Sequence, residues 1–222
     1  MRTRATMVIR PSDHKSTEVY RLLTGLIVPR PIAFVSTVSP ERVRNLAPFS
    51  FFTAVSANPP VICFSPMIRG RDGMMKDTLR NIEATREFVV NVVSESFAGQ
   101  MNACSSDVSP EVDEFVLSGL TPVPSEVVRP PRVGESQAAM ECRLVQVVHV
   151  SDRPLGGSIV LGEVLQFHVA ESIFRNFVID PDLLRPIGRM GGANYTRTTD
   201  RFVMERPPVP PDERTQQEQS KR

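Results

Sequence analysis

The chain has 222 residues, and Lys plus Arg at 26 against Asp plus Glu at 25 leave a formal net charge of +1. So even a balance gives no excess field to gather nucleic acid or an anionic membrane, and no run approaches the ~18 uninterrupted apolar residues of a membrane span. Charges inside the opening MRTRATMVIR argue against a secretory leader, so a soluble, cytoplasmic protein with no nucleic-acid or membrane partner is expected.

Twenty prolines divide the chain into short apolar runs, the pattern of a β-barrel or sandwich rather than a helical bundle. In chain order, helical spacing covers residues 16–23, and Val, Ile and Phe enrichment predicts strands over 31–38, 49–57 and 61–65. The Pro59-Pro60 pair marks a turn between the last two. A helix is expected over 78–86, a strand over 88–93, a helix over 95–103 and a weaker one over 111–117. Residues 117–136, rich in proline and polar groups, read as an ordered surface excursion before two longer strands over 138–150 and 158–170. From Arg206 the run RPPVPPDERTQQEQSKR has almost nothing to bury and reads as an extended or disordered tail, or as an arm wrapping a partner subunit.

Two stretches carry candidate chemistry. In RNLAPFSFF, small and polar groups at Asn45, Ala47 and Ser50 suit the close approach and polar edge of a flat heteroaromatic ligand such as a flavin; an Asx turn entering a strand with core-facing phenylalanines is the alternative. In MIRGRDGMMKDT, three cations and two glycines lead into a helix start, a setting for phosphate. A plain N-cap at Asp77 or Thr78 with solvated cations is the alternative, and the Asp77 carboxylate must be turned away or paired if phosphate is to bind.

Cys63, Cys104 and Cys142 are odd in number and irregularly spaced, which fits buried free thiols better than a disulfide framework or zinc site. His14, His149 and His168 stand far apart without neighbouring ligands, so no metal is expected and the two in strand-like runs read as structural. No Walker loop, Gly-x-Gly-x-x-Gly or Gly-x-Ser-x-Gly is present, which removes support for nucleotide hydrolysis and serine acyl transfer.

Taken in order, RPIAFVST, NLAPFSFFTAVSANPPVICFS, KDTLRNIEATREFVVNVV, DEF, ESQAAMECRL, VLGEV and GRMGGANY resemble the flavin-reductase-like, FMN-binding split-barrel family, flavoredoxin-like proteins included. The resemblance spans about residues 30–195. It implies a mainly β, Greek-key antiparallel split barrel with short flanking helices over residues 1–205, a tail over 206–222, and a homodimer with FMN near the subunit interface. It also implies that Asn45, Ala47, Pro48, Phe49 and Ser50 line the isoalloxazine. Ser65, Arg69, Lys76, Asp77 and Thr78 then surround the ribityl and phosphate, and Arg189 reaches the flavin edge or substrate. The implied activity is electron transfer between NAD(P)H or a partner protein and an acceptor. The flavin does the chemistry, so no catalytic side chain is needed. A non-catalytic FMN carrier or sensor is the alternative, and a haem-binding split barrel is disfavoured by the KDT stretch. Reductases of this family often carry a Gly-Asp-His before the late strand. Residues 153–164 here read RPLGGSIVLGEV without that His, which favours the flavoredoxin-like branch.

Overall fold

The computed structural model describes residues 5–208. In chain order it contains α1 (Ser16–Leu26), β1 (Ala33–Val38), β2 (Arg44–Phe49), β3 (Phe52–Ala57), β4 (Pro60–Phe64), α2 (Asp77–Thr85), β5 (Glu87–Val92), α3 (Ala98–Ala103) and α4 (Glu114–Ser118). There follow β6 (Pro122–Val123), β7 (Arg132–Val133), β8 (Ala138–His149), β9 (Ser158–Val169), β10 (Phe174–Arg175), β11 (Val178–Ile179), α5 (Pro181–Leu184), β12 (Ile187–Arg189) and β13 (Tyr195–Arg197). Among the described residues no helix is long and apolar enough to cross a membrane.

Seven strands form one antiparallel sheet in the order β2-β1-β5-β8-β9-β4-β3. Its two edges, β2 and β3, are consecutive in sequence, with only Ser50 and Phe51 between them. So short a link spans roughly 10 Å at most, so the sheet has to curl until its edges come together. The two edge strands do not pair, and the barrel therefore stays split along that seam. The hairpins β1–β2, β3–β4 and β8–β9, with β4 lying beside β9 rather than β5, give the Greek-key order. This is the mainly β, antiparallel split barrel with short helices that the sequence resemblance implies.

Two expectations need correction. Residues 49–57 are not one strand, since β2 ends at Phe49 and β3 begins at Phe52. Asn45 does not sit in a turn: it lies in β2, opposite Thr37 of β1. Pro48 is accommodated within β2 because an edge strand tolerates a residue that cannot donate to a ladder.

Side chains of β1 alternate between two apolar cores. Ala33 and Val35 join Phe49, Phe64, Phe88 and the α2 residues Leu79 and Ile82 inside the barrel. Phe34 and the preceding Ile32 face Leu46, Phe97, Met101 and Phe115 outside it, where α3 and α4 pack. Burial on both faces explains why this segment reads as an unbroken apolar run. The inner core is thin enough that Gly162 of β9 lies directly under the Phe88 ring, where an added Cβ would overlap it.

The excursion over 117–136 is ordered, though Leu120, Val128 and Val133 are buried. The fully buried Glu141 holds it by accepting from the backbone N–H of Glu126 (2.8 Å), Val127 (2.7 Å) and Val128 (3.2 Å) and from His168 Nε2 (2.6 Å). Burial alone would raise that carboxyl, but these donors together hold it below the usual range. Residues 206–208 are exposed and without regular structure; the rest of the expected tail lies outside the described residues.

Glu114, at the start of α4, fixes the inner edge of β2. Its Oε1 accepts from Asn45 Nδ2 (2.8 Å) and its Oε2 from Leu46 N (3.1 Å). Burial outweighs these donors and, with the nearby Asp77 charge, pushes the carboxyl up to about 7. The folded protein thus keeps a proton that the unfolded chain has released above about pH 4.3, so stability falls as pH rises from there through 7. The melting temperature is expected to drop by several degrees between pH 5 and pH 8, with Glu114→Gln flattening that interval; an unchanged slope in the variant refutes the assignment. Gly162→Ala is expected to cost about 1–3 kcal/mol through overpacking against Phe88, measured as a lower denaturant midpoint at unchanged m-value.

Candidate functional site

Three adjoining depressions follow the seam, and Pro48 lines all of them. The first takes in Asn45, Ala47 and Phe49 from β2 and Arg69, Lys76, Asp77 and Thr78 from the loop and first turn of α2. Ser50 and Ser65 line the second, which also reaches Lys76. Ser50 and Arg189 line the third, beside Met101 and Asn102. The fold therefore gathers every candidate residue from the sequence along one groove, although residues 45 and 189 come from opposite ends of the chain.

At α2 the N-cap position belongs to Lys76, whose ammonium cannot accept a hydrogen bond, and no side chain caps the helix. The plain cap at Asp77 or Thr78 is thus not the arrangement found. Asp77 turns its carboxylate to Arg69 Nη2 (2.8 Å) and to Arg80, while Thr78 Oγ1 donates to Asn45 Oδ1 (2.7 Å). The backbone N–H groups of Asp77 and Thr78 have no acceptor among the described residues. Arg69 Nε is also buried without a hydrogen-bond partner, 3.7 Å from Asp107 Oδ1. Unclaimed donors at a helix start suit an anion.

Asp107 has no signal in the sequence to place it here. It arrives from the loop after α3 and meets Lys76 Nζ at 2.5 Å, and that contact first of all holds its carboxyl below the usual range. Both cations assigned to phosphate are therefore paired with carboxylates, Lys76 with Asp107 and Arg69 with Asp77.

Asn45, at the inner side of the first depression, has its amide engaged in a buried network. Its Oδ1 accepts from Thr78 and from Thr37 Oγ1 (3.2 Å), and its Nδ2 donates to Glu114. With Asn81 donating to Thr37 (3.0 Å), this buried network locks β2 to α2. What Asn45 contributes is the position of Ala47, Pro48 and Phe49.

Ser50 is held by Arg30, whose role the sequence did not reveal although it opens the RPIAFVST motif. The buried guanidinium gives Nε to Ser50 Oγ (3.2 Å), Nη1 to the carbonyls of Thr24 and Ile27 (2.6 Å each) and Nη2 to Met190 O (3.0 Å). Among the described residues it forms no ion pair with a carboxylate; the carbonyls that close α1 take that part. Burial lowers its pKa. Arg30 and Arg189 also exchange backbone hydrogen bonds of 3.0 and 2.8 Å. Arg189 itself donates to Gly192 O (2.6 Å) and lies 4.4 Å over the Tyr195 ring.

Ser65 abuts Gly157 in the turn between β8 and β9, the stretch in which the reductase His is missing. Neither strand histidine lines the groove: His149 meets Glu83 (3.0 Å) and Ser158 (3.1 Å), and His168 meets Glu141. No group of three metal-ligating side chains occurs among the described residues. The cysteines are free; Cys104 and Cys142 are buried and their thiols are pushed up by burial, while Cys63 is only partly buried.

A family model described as flavin reductase like domain matches residues 25–186. The structure of nitrilotriacetate monooxygenase component B from Bacillus cereus is 37% identical, covers 91% of this chain and 100% of its own, and superposes with a TM-score of 0.86. That of 2-nitrobenzoate 2-nitroreductase NbaA from Pseudomonas fluorescens is 33% identical over 93% of this chain and 100% of its own, with a TM-score of 0.83. Flavoredoxin of Desulfovibrio vulgaris, 22% identical over 80% of this chain and 91% of its own with a TM-score of 0.68, shares the fold. Since the family model spans most of the sequence and the split barrel is the same, the chain belongs to the flavin-reductase-like family.

Proposed function

We propose that the chain is an FMN-dependent oxidoreductase of the flavoredoxin-like kind, passing electrons between NAD(P)H or a partner protein and an acceptor. The observation that carries this reading is the open start of α2. Two unclaimed amides and a partnerless Arg69 Nε meet at one end of a groove whose wall is Ala47, Pro48 and Phe49. Those donors fit a terminal phosphate, and the small, flat wall fits a planar ring.

In this reading the amides of Asp77 and Thr78, with Lys76 and Arg69, hold the phosphate. Thr78 Oγ1 already donates its hydrogen bond to Asn45, so it orients the strand rather than the ligand. Ser50, steadied by Arg30, presents its hydroxyl to the ring edge, and Ser65 borders the middle of the groove. Bound FMN would supply the hydride or electron transfer, and the chain's side chains hold and orient it without acting as acid or nucleophile. Relatives described as a monooxygenase component and a nitroreductase support redox chemistry. The homodimer stays part of the proposal: α1 leaves Leu22, Leu23, Leu26 and Ile27 exposed, which suits cover by a second copy and is tested by light scattering.

The purified protein is expected to show flavin absorbance, or to gain melting temperature on adding FMN; failure of both sinks the FMN reading. Stopped-flow mixing of the FMN-loaded protein with NADH and NADPH separates a reductase, which bleaches rapidly, from a carrier or sensor, which does not. Lys76→Ala is expected to weaken FMN about ten-fold or more, because a charge-assisted contact to the phosphate is lost. Asp107→Asn, which frees Lys76, is expected to tighten FMN several-fold, most at low salt. His168→Gln, away from the groove, is expected to leave FMN affinity unchanged. Equal FMN affinity in wild type and Lys76→Ala overturns the phosphate assignment.

A further inference from the structure

We propose that the third depression, where the seam meets Arg189, is a site for a second ligand, a single-ring aromatic anion. The chain has two tyrosines and no tryptophan, and both tyrosines, Tyr20 and Tyr195, line this one depression. Each is more than a third exposed, so ring surface is presented rather than buried. Ile32 and Met101 add apolar wall between them. Aromatic faces with apolar backing and a few polar groups are what a planar ligand needs.

Charge then selects among planar ligands. Arg189 is the cation that lines the depression, and no carboxylate side chain lines it. Its guanidinium is aligned over the Tyr195 ring and tied to Gly192 O, while the Tyr195 hydroxyl donates to Asn102 Oδ1 (3.2 Å). Among the described residues it has no ion pair. Arg30 lies close behind and adds to the positive potential. The α2 end of the groove is the opposite case, where Asp77 and Asp107 offset the cations. An anion entering at Arg189 thus meets a positive charge already desolvated on one face and held by a ring.

Size narrows the choice further. The depression holds about 230 Å³, room for one ring with a carboxylate. Pro48 and Ser50 are common to this depression and to the groove assigned to FMN, which places the ring beside the flavin. That adjacency to a flavin rests on the FMN reading; the site itself is built by the chain alone.

Calorimetric titration of the full-length protein with benzoate and with neutral benzamide, each with and without FMN, tests this. Benzoate is expected to bind about ten-fold more tightly than benzamide in both states, since only it pairs with the guanidinium. Arg189→Gln is expected to remove that preference, and Arg189→Lys to restore part of it, which separates a charge effect from misfolding. FMN affinity, read independently from the visible spectrum, keeps the two proposals apart: benzoate preference without FMN binding supports the site and rejects the flavin. Equal binding of benzoate and benzamide, a preference untouched by Arg189→Gln, or displacement of benzoate by FMN each overturns the site. Arg189-dependent binding of tetrahydro-NADH in a protein that ignores benzoate does so too.

Discussion

The chain passes from one edge of a seven-stranded sheet to the other through Ser50 and Phe51 alone, and most of the molecule answers to that short crossing. Closure follows from chain length, because two residues cannot reach across an open sheet of seven strands. Yet the crossing also keeps the closure incomplete, since β2 and β3 meet at a corner and do not pair. Along that unpaired seam, backbone and small side chains of β2 stay open to a ligand instead of to a neighbouring strand. The same crossing carries Ser50 and adjoins Pro48, two of the residues shared between neighbouring parts of the groove.

Polarity along the groove is uneven, and the unevenness has structural causes. At the α2 end the helix start brings positive partial charge, and Lys76 and Arg69 add to it, but Asp77 and Asp107 are folded back onto them. Such pairing keeps a cluster of cations tolerable at close quarters. At the other end Arg189 rests on an aromatic ring, which softens its desolvation without neutralising it. Two different ways of holding a cation, one by acids and one by a ring, thus share a single groove.

Much of this could be read from the sequence, for identifiable reasons. β1, β8 and β9 are dense in β-branched residues, and α2 shows clear helical spacing, so these elements declare themselves locally. The Asx turn considered at Asn45 is not found because turn-favouring residues usually act on their own backbone, whereas here Asn45 satisfies partners 8, 33 and 69 residues away. Asp107, Arg30 and Tyr20 could not be assigned at all. Their partners lie on other elements, and nothing in their own neighbourhood distinguishes them from ordinary surface or core residues. Candidate ligand residues were easier to find than the residues that steady them, since binding groups sit in compact motifs and their supports are dispersed.

The Arg30 side chain gathers carbonyls from α1 and from Met190, separated by 160 residues from it, around the hydroxyl of Ser50. During synthesis the barrel strands emerge first, and the inner core can condense once β9 has appeared. The corner at Ser50 cannot be finished until the segment carrying Met190 has left the ribosome, with Arg30 until then missing an acceptor it needs in the interior. The corner at Ser50 thus depends on a segment far along the chain from the strands that flank it.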